Sequence, residues 1–342
     1  MSPNLAAVIT AAKTPLEIQE VETYLPKTDE ILVKNTIIAF NPVESRIAKL
    51  AIFPIEYPAI LGYSYGGVVE ALGSEITNFK VGDKVAVMRH MSSQSSQFGS
   101  FQRYAIATTD SVTKLPDNVS VDDAASVILN LSTVVGALTV VAGLDKPSLH
   151  DTPAPKGKKV LIYGGSSSIG SLAIQYATTA GYSVVSTSSP HNNAFVSTLG
   201  AAKIIDHTVS QGDLISALKA EGPYAVVLDA ISKPQTVSAV AAVLGAQGGG
   251  KLLAVLPPLG PETIPENVER VMEPYGHLQE GPEQTEISAW FKTYLSQGIA
   301  IGKVVPIPLQ KVKGGLKGIN DVLDLMHTGI SGVKLVADPW ED

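Results

Sequence analysis

Between residues 159 and 256 the chain repeats one pattern: a short apolar run, a polar turn, then a stretch with helical spacing. The apolar runs are "KVLIYG", "YSVVSTS", "KIIDH", "YAVVLDAI" and "GKLLAVLPP". Helices are predicted from Ser168, from about Asn192, over "GDLISALKAEG" and over "PQTVSAVAAVLG". Strands that alternate with helices need crossover connections, and nearly uniform apolar strands belong in a parallel sheet covered on both faces. No other feature of the chain narrows its fold so far.

The first third obeys a different rule. "AAVIT", "LEIQEVE", "EILVKNTIIAFN", "YGGVVEALG", "DKVAVM" and "FQRYAIA" are short β-branched or alternating runs punctuated by Pro, Gly, Asn and Asp, the spacing of a small barrel or sandwich. "HMSSQSSQFGS", residues 90–100, reads as a mobile loop. The period changes near residue 121, where "VDDAASVILNLSTVVGALTVVAGL" predicts a helix with Ser120 as N-cap. A helix in "KVKGGLKGINDVLDLMHTG" and a strand in "VKLVAD" end the chain. At 342 residues, two domains are expected: a β-rich one from 1–125 and 266–342, and a doubly wound α/β one from 126–265.

Composition removes several function classes. A formal net charge of −7 without a Lys/Arg cluster argues against nucleic-acid binding. The absence of cysteine excludes disulfides, thiolate nucleophiles and Cys-ligated zinc. With no secretory pattern and no apolar run read as long enough to span a membrane, the cytoplasm is the expected location.

"YGGSSSIGS" joins the first apolar run to its helix. A helix entered from a strand offers free N–H groups and the positive end of its dipole, which attract phosphate. In the dinucleotide fingerprint one glycine makes the turn, a second admits the pyrophosphate and a third lets helix and strand pack closely. Gly165 and Gly170 take the first and third places, and Ser167 the second. A hydrolase nucleophile elbow needs glycine two places after the serine, but Ser168 follows Ser166, so that motif fails. The second strand ends in "STSSPHNN", Ser186–Asn193, with no carboxylate to bind a ribose hydroxyl or repel a 2′-phosphate. Ser189, His191 and Asn192 offer donors, with His207 and Lys203 adding charge, which favours NADP over NAD.

"FNPVESRIAK" (40–49), "PAILGYSYGGVVEALGSEITNFKVGDKVAV" (58–87), "FQRYAI", "LPDNVSVDDAAS" and "SGVKLV" together resemble the medium-chain dehydrogenase/reductase superfamily over nearly the whole chain. Within it, "YGGSSSIGS" followed by "TSSPHN" is similar to the zinc-free quinone oxidoreductase branch, most of all fungal trans-acting enoyl reductases. The resemblance implies a GroES-like catalytic domain, a Rossmann domain and NADPH in the cleft between them. It implies hydride transfer to an α,β-unsaturated carbonyl (enoyl thioester, enone or quinone) in fungal secondary metabolism. A polyketide synthase partner and a monomer or homodimer follow from the same likeness. Redox-neutral chemistry on this fold, or NADPH binding without turnover, are the alternatives.

Residue by residue, the resemblance places cofactor contacts at Val43, Glu44, Ser45 and Arg46, at Ser166, Ser167, Ser168 and Ile169, and at Ser189, Pro190, His191 and Asn192. His207, Ala254, Val255, Val333 and Lys334 complete that set. His207 stands where a tyrosine is common, which implies a pH-dependent affinity for the 2′-phosphate. Substrate contacts fall on Asn130, Leu131, Ser132 and Thr133, and "VMEPYGHLQ" (271–279) is expected to close the pocket. Catalytic candidates are Arg46 and Tyr63, with Tyr57 a third, because Phe53 stands near the place of a proton-donating tyrosine. The zinc-binding relatives carry His and Glu where this chain has Tyr63 and Ser64, so no metal is expected.

Overall fold

The computed structural model describes residues 2–90, 93, 95–277 and 285–341. They gather into two compact units, one drawn from residues 1–129, 286–302 and 308–342 and the other from 130–285 and 303–307.

In chain order the elements are β1 (Asn4–Ile9), β2 (Leu16–Val21), β3 (Glu30–Ala39), α1 (Pro42–Leu50), β4 (Ala59–Ile60), β5 (Ser64–Leu72), β6 (Lys84–Met88), β7 (Tyr104–Thr108), β8 (Val112–Lys114) and α2 (Val121–Val135). There follow β9 (Lys159–Tyr163), α3 (Ser168–Thr179), β10 (Ser183–Ser188), α4 (Asn193–Thr198), β11 (Lys203–Asp206), α5 (Gln211–Glu221), β12 (Val226–Asp229), α6 (Pro234–Ala246), β13 (Gly250–Ala254) and β14 (Val268–Val271). The chain ends with α7 (Thr285–Ala300), β15 (Leu309–Lys311), α8 (Ile319–Thr328) and β16 (Lys334–Ala337).

The second unit holds a six-stranded sheet in the order β11-β10-β9-β12-β13-β14, every neighbouring pair parallel. The chain winds outward from β9 in one direction, then returns to β12 and winds out in the other. That reversal is a topological switch point, and ligands of such sheets bind beyond the carboxyl ends of the strands there. Leu161, Val227 and Leu252 lie in one apolar cluster with Val237, Val240 and Leu244 of α6, so strand and helix cover each other. One boundary moves. β14 extends this sheet, and residues up to 285 stay with the second unit, whereas a return to the β-rich domain at 266 was expected. "VERV" alternates because β14 is the edge strand, so it lacks the apolar run that betrays the inner ones.

The first unit has a seven-stranded sheet, with β15-β16-β3-β5-β6-β8 in line and β7 also on β3, and a three-stranded sheet β2-β1-β4. Its larger cluster packs Ile38, Phe40, Ile47, Leu61 and Phe101 against Ile319, Val322 and Leu323 of α8. The spacing of those last three is that of one helix face. Within the loop expected to be mobile, residues 91, 92 and 94 lie outside the described residues. The rest is anchored: Gln102 Nε2 donates to Ser96 O at 2.9 Å and Gly99 O at 2.7 Å, and Arg89 Nη2 donates to Ser93 O at 2.7 Å.

Ser120 caps α2 as expected, its Oγ accepting the Asp123 amide at 3.3 Å. The helix continues through a wider turn, Gly136–Val141. The combined 21-residue segment Val121–Val141 is apolar and long enough to cross a membrane, which corrects the expectation that no run reaches that length. Of its most apolar stretch 72 % is buried inside the protein, as befits a core helix.

Candidate functional site

In the second unit the carboxyl ends of β9, β10 and β11 bring the glycine–serine turn, the "SSPHN" segment and His207 together. Gly164 makes the turn at φ +85°, a conformation in which a Cβ would also lie 2.6 Å from Ile231. The turn glycine is therefore Gly164, one place before the position read from the fingerprint. Gly170 is the close-packing glycine: a Cβ there would stand 2.1 Å from the Gly164 carbonyl oxygen. Thr187 of β10 locks the turn, its Oγ1 accepting the Gly164 amide and its carbonyl the Gly165 amide, both at 2.9 Å.

Ser167 is the N-cap of α3. Its Oγ accepts the Gly170 amide at 3.0 Å and donates to Gly164 O at 2.8 Å, so its hydroxyl is already committed. Ser166 is buried, and half-buried Ser168 and Ile169 open the helix. The first turn of α3 carries no acidic residue. Free first-turn amides and the uncompensated dipole suit an anion.

At the end of β10, Pro190–Asn192 forms a tight turn whose Asn192 amide donates to Ser189 O at 3.0 Å. Ser189 and Asn192 are half-buried, and Pro190 and His191 are exposed. The His207 amide donates to Ser188 O at 3.3 Å, and its ring lies 6.1 Å from that of Tyr163. Lys203 does not join them. It begins β11 opposite Val185, three residues from the loop end, and its ammonium pairs with Glu221 at 3.8 Å. At the sheet's other half, Ala254 is buried at the end of β13 and the Val255 amide donates to Ser232 Oγ at 2.8 Å. Ser232 is set in turn by the buried Asp229 carboxylate, which accepts the Ile231 and Ser232 amides at 2.9 Å and the Thr236 hydroxyl at 2.6 Å. Burial raises the Asp229 pKa, and these donors partly offset it. Nothing in the local sequence signals this support.

The expected substrate residues on α2 divide. Leu131 is core, and Ser132 is fully buried with its hydroxyl donating to Gly276 O at 2.9 Å. Thr133 is half-buried. Asn130 is 5 % exposed, and its Nδ2 has no hydrogen-bond partner among the described residues. Of the segment expected to close the pocket, Leu278, Gln279 and the side chain of His277 lie outside the described residues. Tyr275 is buried and donates to Val271 O at 2.9 Å.

In the first unit, α1 has Asn41 as N-cap and Glu44 closing a capping box. Glu44 is 0 % exposed. Its carboxylate accepts the Asn41 amide, Asn41 Nδ2 at 3.1 Å and the Tyr63 amide at 3.1 Å. Asn41 also donates to Ser64 Oγ at 2.9 Å and accepts from Lys334 Nζ at 2.7 Å. Burial pushes the Glu44 carboxyl up to about 7 and the Lys334 ammonium down to about 8, each opposing the other's shift by attraction. Both side chains belong to an internal hydrogen-bond network, which leaves their backbones as the groups to meet a cofactor. Ser45 is likewise committed, donating to Leu323 O at 2.7 Å. Val43 and Val333 pack on the larger cluster, as do Phe53 and Tyr57.

The two catalytic candidates differ. Arg46 is half-buried, and burial lowers its pKa. Tyr63 is buried under the Arg89 guanidinium, 5.3 Å from the ring centroid, and burial raises its pKa. Arg89 itself was invisible to motif reading, since only folding brings it to Ile60 O (2.9 Å) and over Tyr63.

Residues 27–117 match the family described as alcohol dehydrogenase GroES-like domain, and residues 168–273 match zinc-binding dehydrogenase. The trans-enoyl reductase himH of Aspergillus japonicus is 34 % identical over 315 residues, 90 % of this chain and 89 % of that protein. The dehydrogenase orsE of Emericella nidulans is 30 % identical over 356 residues, 99 % of this chain and all of that one. The chain is a medium-chain dehydrogenase/reductase. Two solved structures share the fold of this dehydrogenase/reductase. The quinone oxidoreductase of Pseudomonas syringae has a TM-score of 0.78 at 21 % identity, covering 98 % and 100 % of the two chains, and CurK enoyl reductase has 0.75 at 18 %, covering 98 % and 99 %.

The family description names zinc, and the donor set does not fit it. The chain has no cysteine, and among the described residues no three His, Cys, Asp or Glu side chains gather around one point. A nicotinamide dinucleotide does fit: Gly164, Gly165 and Gly170 pack too closely on the protein's own atoms for a Cβ, so β9 enters α3 through a tight turn, and the first turn of that helix carries no acidic residue.

Proposed function

We propose that this medium-chain dehydrogenase/reductase is a zinc-independent, NADPH-dependent reductase of α,β-unsaturated carbonyl compounds, whether enoyl thioester, enone or quinone. The observation that carries the reading is the acid-free strand end beside the glycine–serine turn. Ser189, His191, Asn192 and His207 offer donors there and no carboxylate faces a 2′-phosphate from β10. The trans-enoyl reductases among the relatives support the substrate class. The same reading includes a cytoplasmic role in fungal secondary metabolism, with a polyketide synthase delivering a carrier-bound substrate to a monomer or homodimer.

When bound, NADPH supplies the hydride that reduces the β-carbon. The chain's own residues do the rest. The amides of Ser168 and Ile169 and the α3 dipole would hold the pyrophosphate. Ser232 holds the Val255 amide at 2.8 Å, and Val255 is among the residues that would line the cofactor. Arg46 offers a cation to the oxygen on which negative charge develops. Burial keeps the Tyr63 phenol protonated, so it has a proton to hold toward the α-carbon.

The test is to incubate the protein with NADPH or NADH and a panel of enones, quinones and enoyl thioesters, following nicotinamide absorbance with and without a chelator. The expected result is NADPH consumption at least about tenfold more efficient than NADH consumption and unaffected by chelation. Substrate change without consumption would replace this reading with redox-neutral chemistry, and tight binding with neither would make the protein a non-catalytic NADPH binder.

A further inference from the structure

Glu44 occupies an expensive position. It is 0 % exposed, and the cation it faces, Lys334, is 3 % exposed. Burying two opposite charges is commonly no better for stability than an apolar pair of the same size. What the carboxylate does instead is geometric. It accepts two N–H groups from Asn41, at the start of α1, and the amide of Tyr63, just ahead of β5. Arg46 lies two residues beyond Glu44 on α1. One carboxylate therefore fixes both the helix that carries Arg46 and the backbone that carries Tyr63. Asn41 links it to Lys334, accepting from the ammonium at 2.7 Å while donating to Oε1 at 3.1 Å. The other charged group facing this cluster is Arg89, which lies over the Tyr63 ring and interacts with Glu44 through space.

We infer that Glu44, held by Asn41 and Lys334, is a positioning residue that sets the mutual geometry of Arg46 and Tyr63. The inference rests on the reductase reading for its consequence in turnover, though not for its geometry. A lysine 293 positions from Asn41 completes the unit, so the buried start of β16 takes part in aligning α1 and the residue just ahead of β5.

The test compares Glu44→Gln and Lys334→Met, each in the wild-type and in an Arg46→Ala/Tyr63→Phe background, with an enone as substrate. Positioning predicts a kcat loss of about 10- to 100-fold for each single variant with KM within about threefold. The loss should shrink below about threefold in the double-variant background, because the residues it acts through are gone. Equal losses in both backgrounds, or a folded Glu44→Gln enzyme with unchanged kcat, would overturn it. If Glu44→Gln does not fold, Lys334→Met decides by the same criteria. A second readout is independent of turnover: the NMR resonances of the Tyr63 amide and the Arg46 side chain should both shift in either variant, while that of the Ala254 amide should not. A wild-type protein that reduces no enone, quinone or thioester would sink the reductase reading alone, and unshifted Tyr63 and Arg46 resonances would sink the positioning role alone.

Discussion

Two strand-to-helix junctions in this protein look alike in outline and do opposite things. In one, β9 enters α3 through Gly164–Ser167; in the other, β3 enters α1 through Phe40 and Asn41. Both helices start with a small polar N-cap. The first turn of α3 has no acid, and its N-cap hydroxyl serves one amide while Ser168 and Ile169 remain open. The first turn of α1 holds Glu44, whose carboxyl folds back onto the Asn41 amide and occupies the positive end of the dipole. An anion is welcome at α3 and redundant at α1. The proposed phosphate site combines a glycine–serine turn with a helix start that the chain leaves unneutralised, and the glycine motif alone does not make the second point.

The hardest way to break that contrast is to close the α3 junction physically. Gly170→Val places a side chain where even a Cβ would meet the Gly164 carbonyl oxygen at 2.1 Å. Backbone must move, so a destabilisation of about 1–3 kcal/mol is expected by thermal unfolding, together with loss of measurable NADPH binding by calorimetry. Retained binding would show that the turn does not cradle the cofactor. A gentler move makes α3 resemble α1. Ser168→Glu should weaken NADPH by about 10- to 100-fold while changing stability by less than about 1 kcal/mol, as fluorescence titration and denaturant midpoints would report.

The α1 junction gives a smaller signal, read through pH. Glu44 is raised above its ordinary value by burial, so the folded protein holds a proton there that the unfolded chain releases. Stability from this group is complete below about 4.5 and is lost as pH rises through about 7. Lys334 is lowered, so its contribution is complete above about 10.5 and is lost as pH falls through about 8. Lys334 and Arg89 stay charged across the Glu44 window, and Glu44 is ionised across the Lys334 window. Unfolding midpoints should therefore fall from mild acid to neutrality in the wild type, and Glu44→Gln should flatten that limb; an unchanged slope would remove Glu44 as its source. The smallest expected effect is Ser167→Ala, which deletes the α3 cap bonds at a cost of about 1 kcal/mol, measurable in urea.

The α3 junction was readable in advance because its parts are neighbours. Gly165, Ser167 and Gly170 lie within six residues, and the absence of an acid in "STSSPHN" is a property of one short segment. Even there the turn moved to Gly164, since only the backbone angle tells which of two adjacent glycines turns. Lys203 was misplaced for a related reason. Register puts it opposite Val185, at the far end of a four-residue strand from His207. At α1 the Asn41–Glu44 spacing of a capping box was in plain view, yet its closure by Tyr63 and Lys334 was not. Ser132 shows the same limit, its hydroxyl taken by Gly276, 144 positions away.

The order of apolar and polar runs was enough to determine the two-part architecture, the parallel sheet of the second unit and the glycine–serine turn at its switch point. Those features depend on local periodicity and on residues a few positions apart, which a linear string records directly. Tertiary structure alone decided that Glu44, Ser45 and Lys334 spend their side chains inside the protein, that β14 stays with the parallel sheet, and that Arg89 covers Tyr63. Each of these depends on burial and on hydrogen-bond partners distant in sequence. Whether a polar side chain is spent on the fold or left for a ligand depends on which other groups the fold brings within about 3 Å of it.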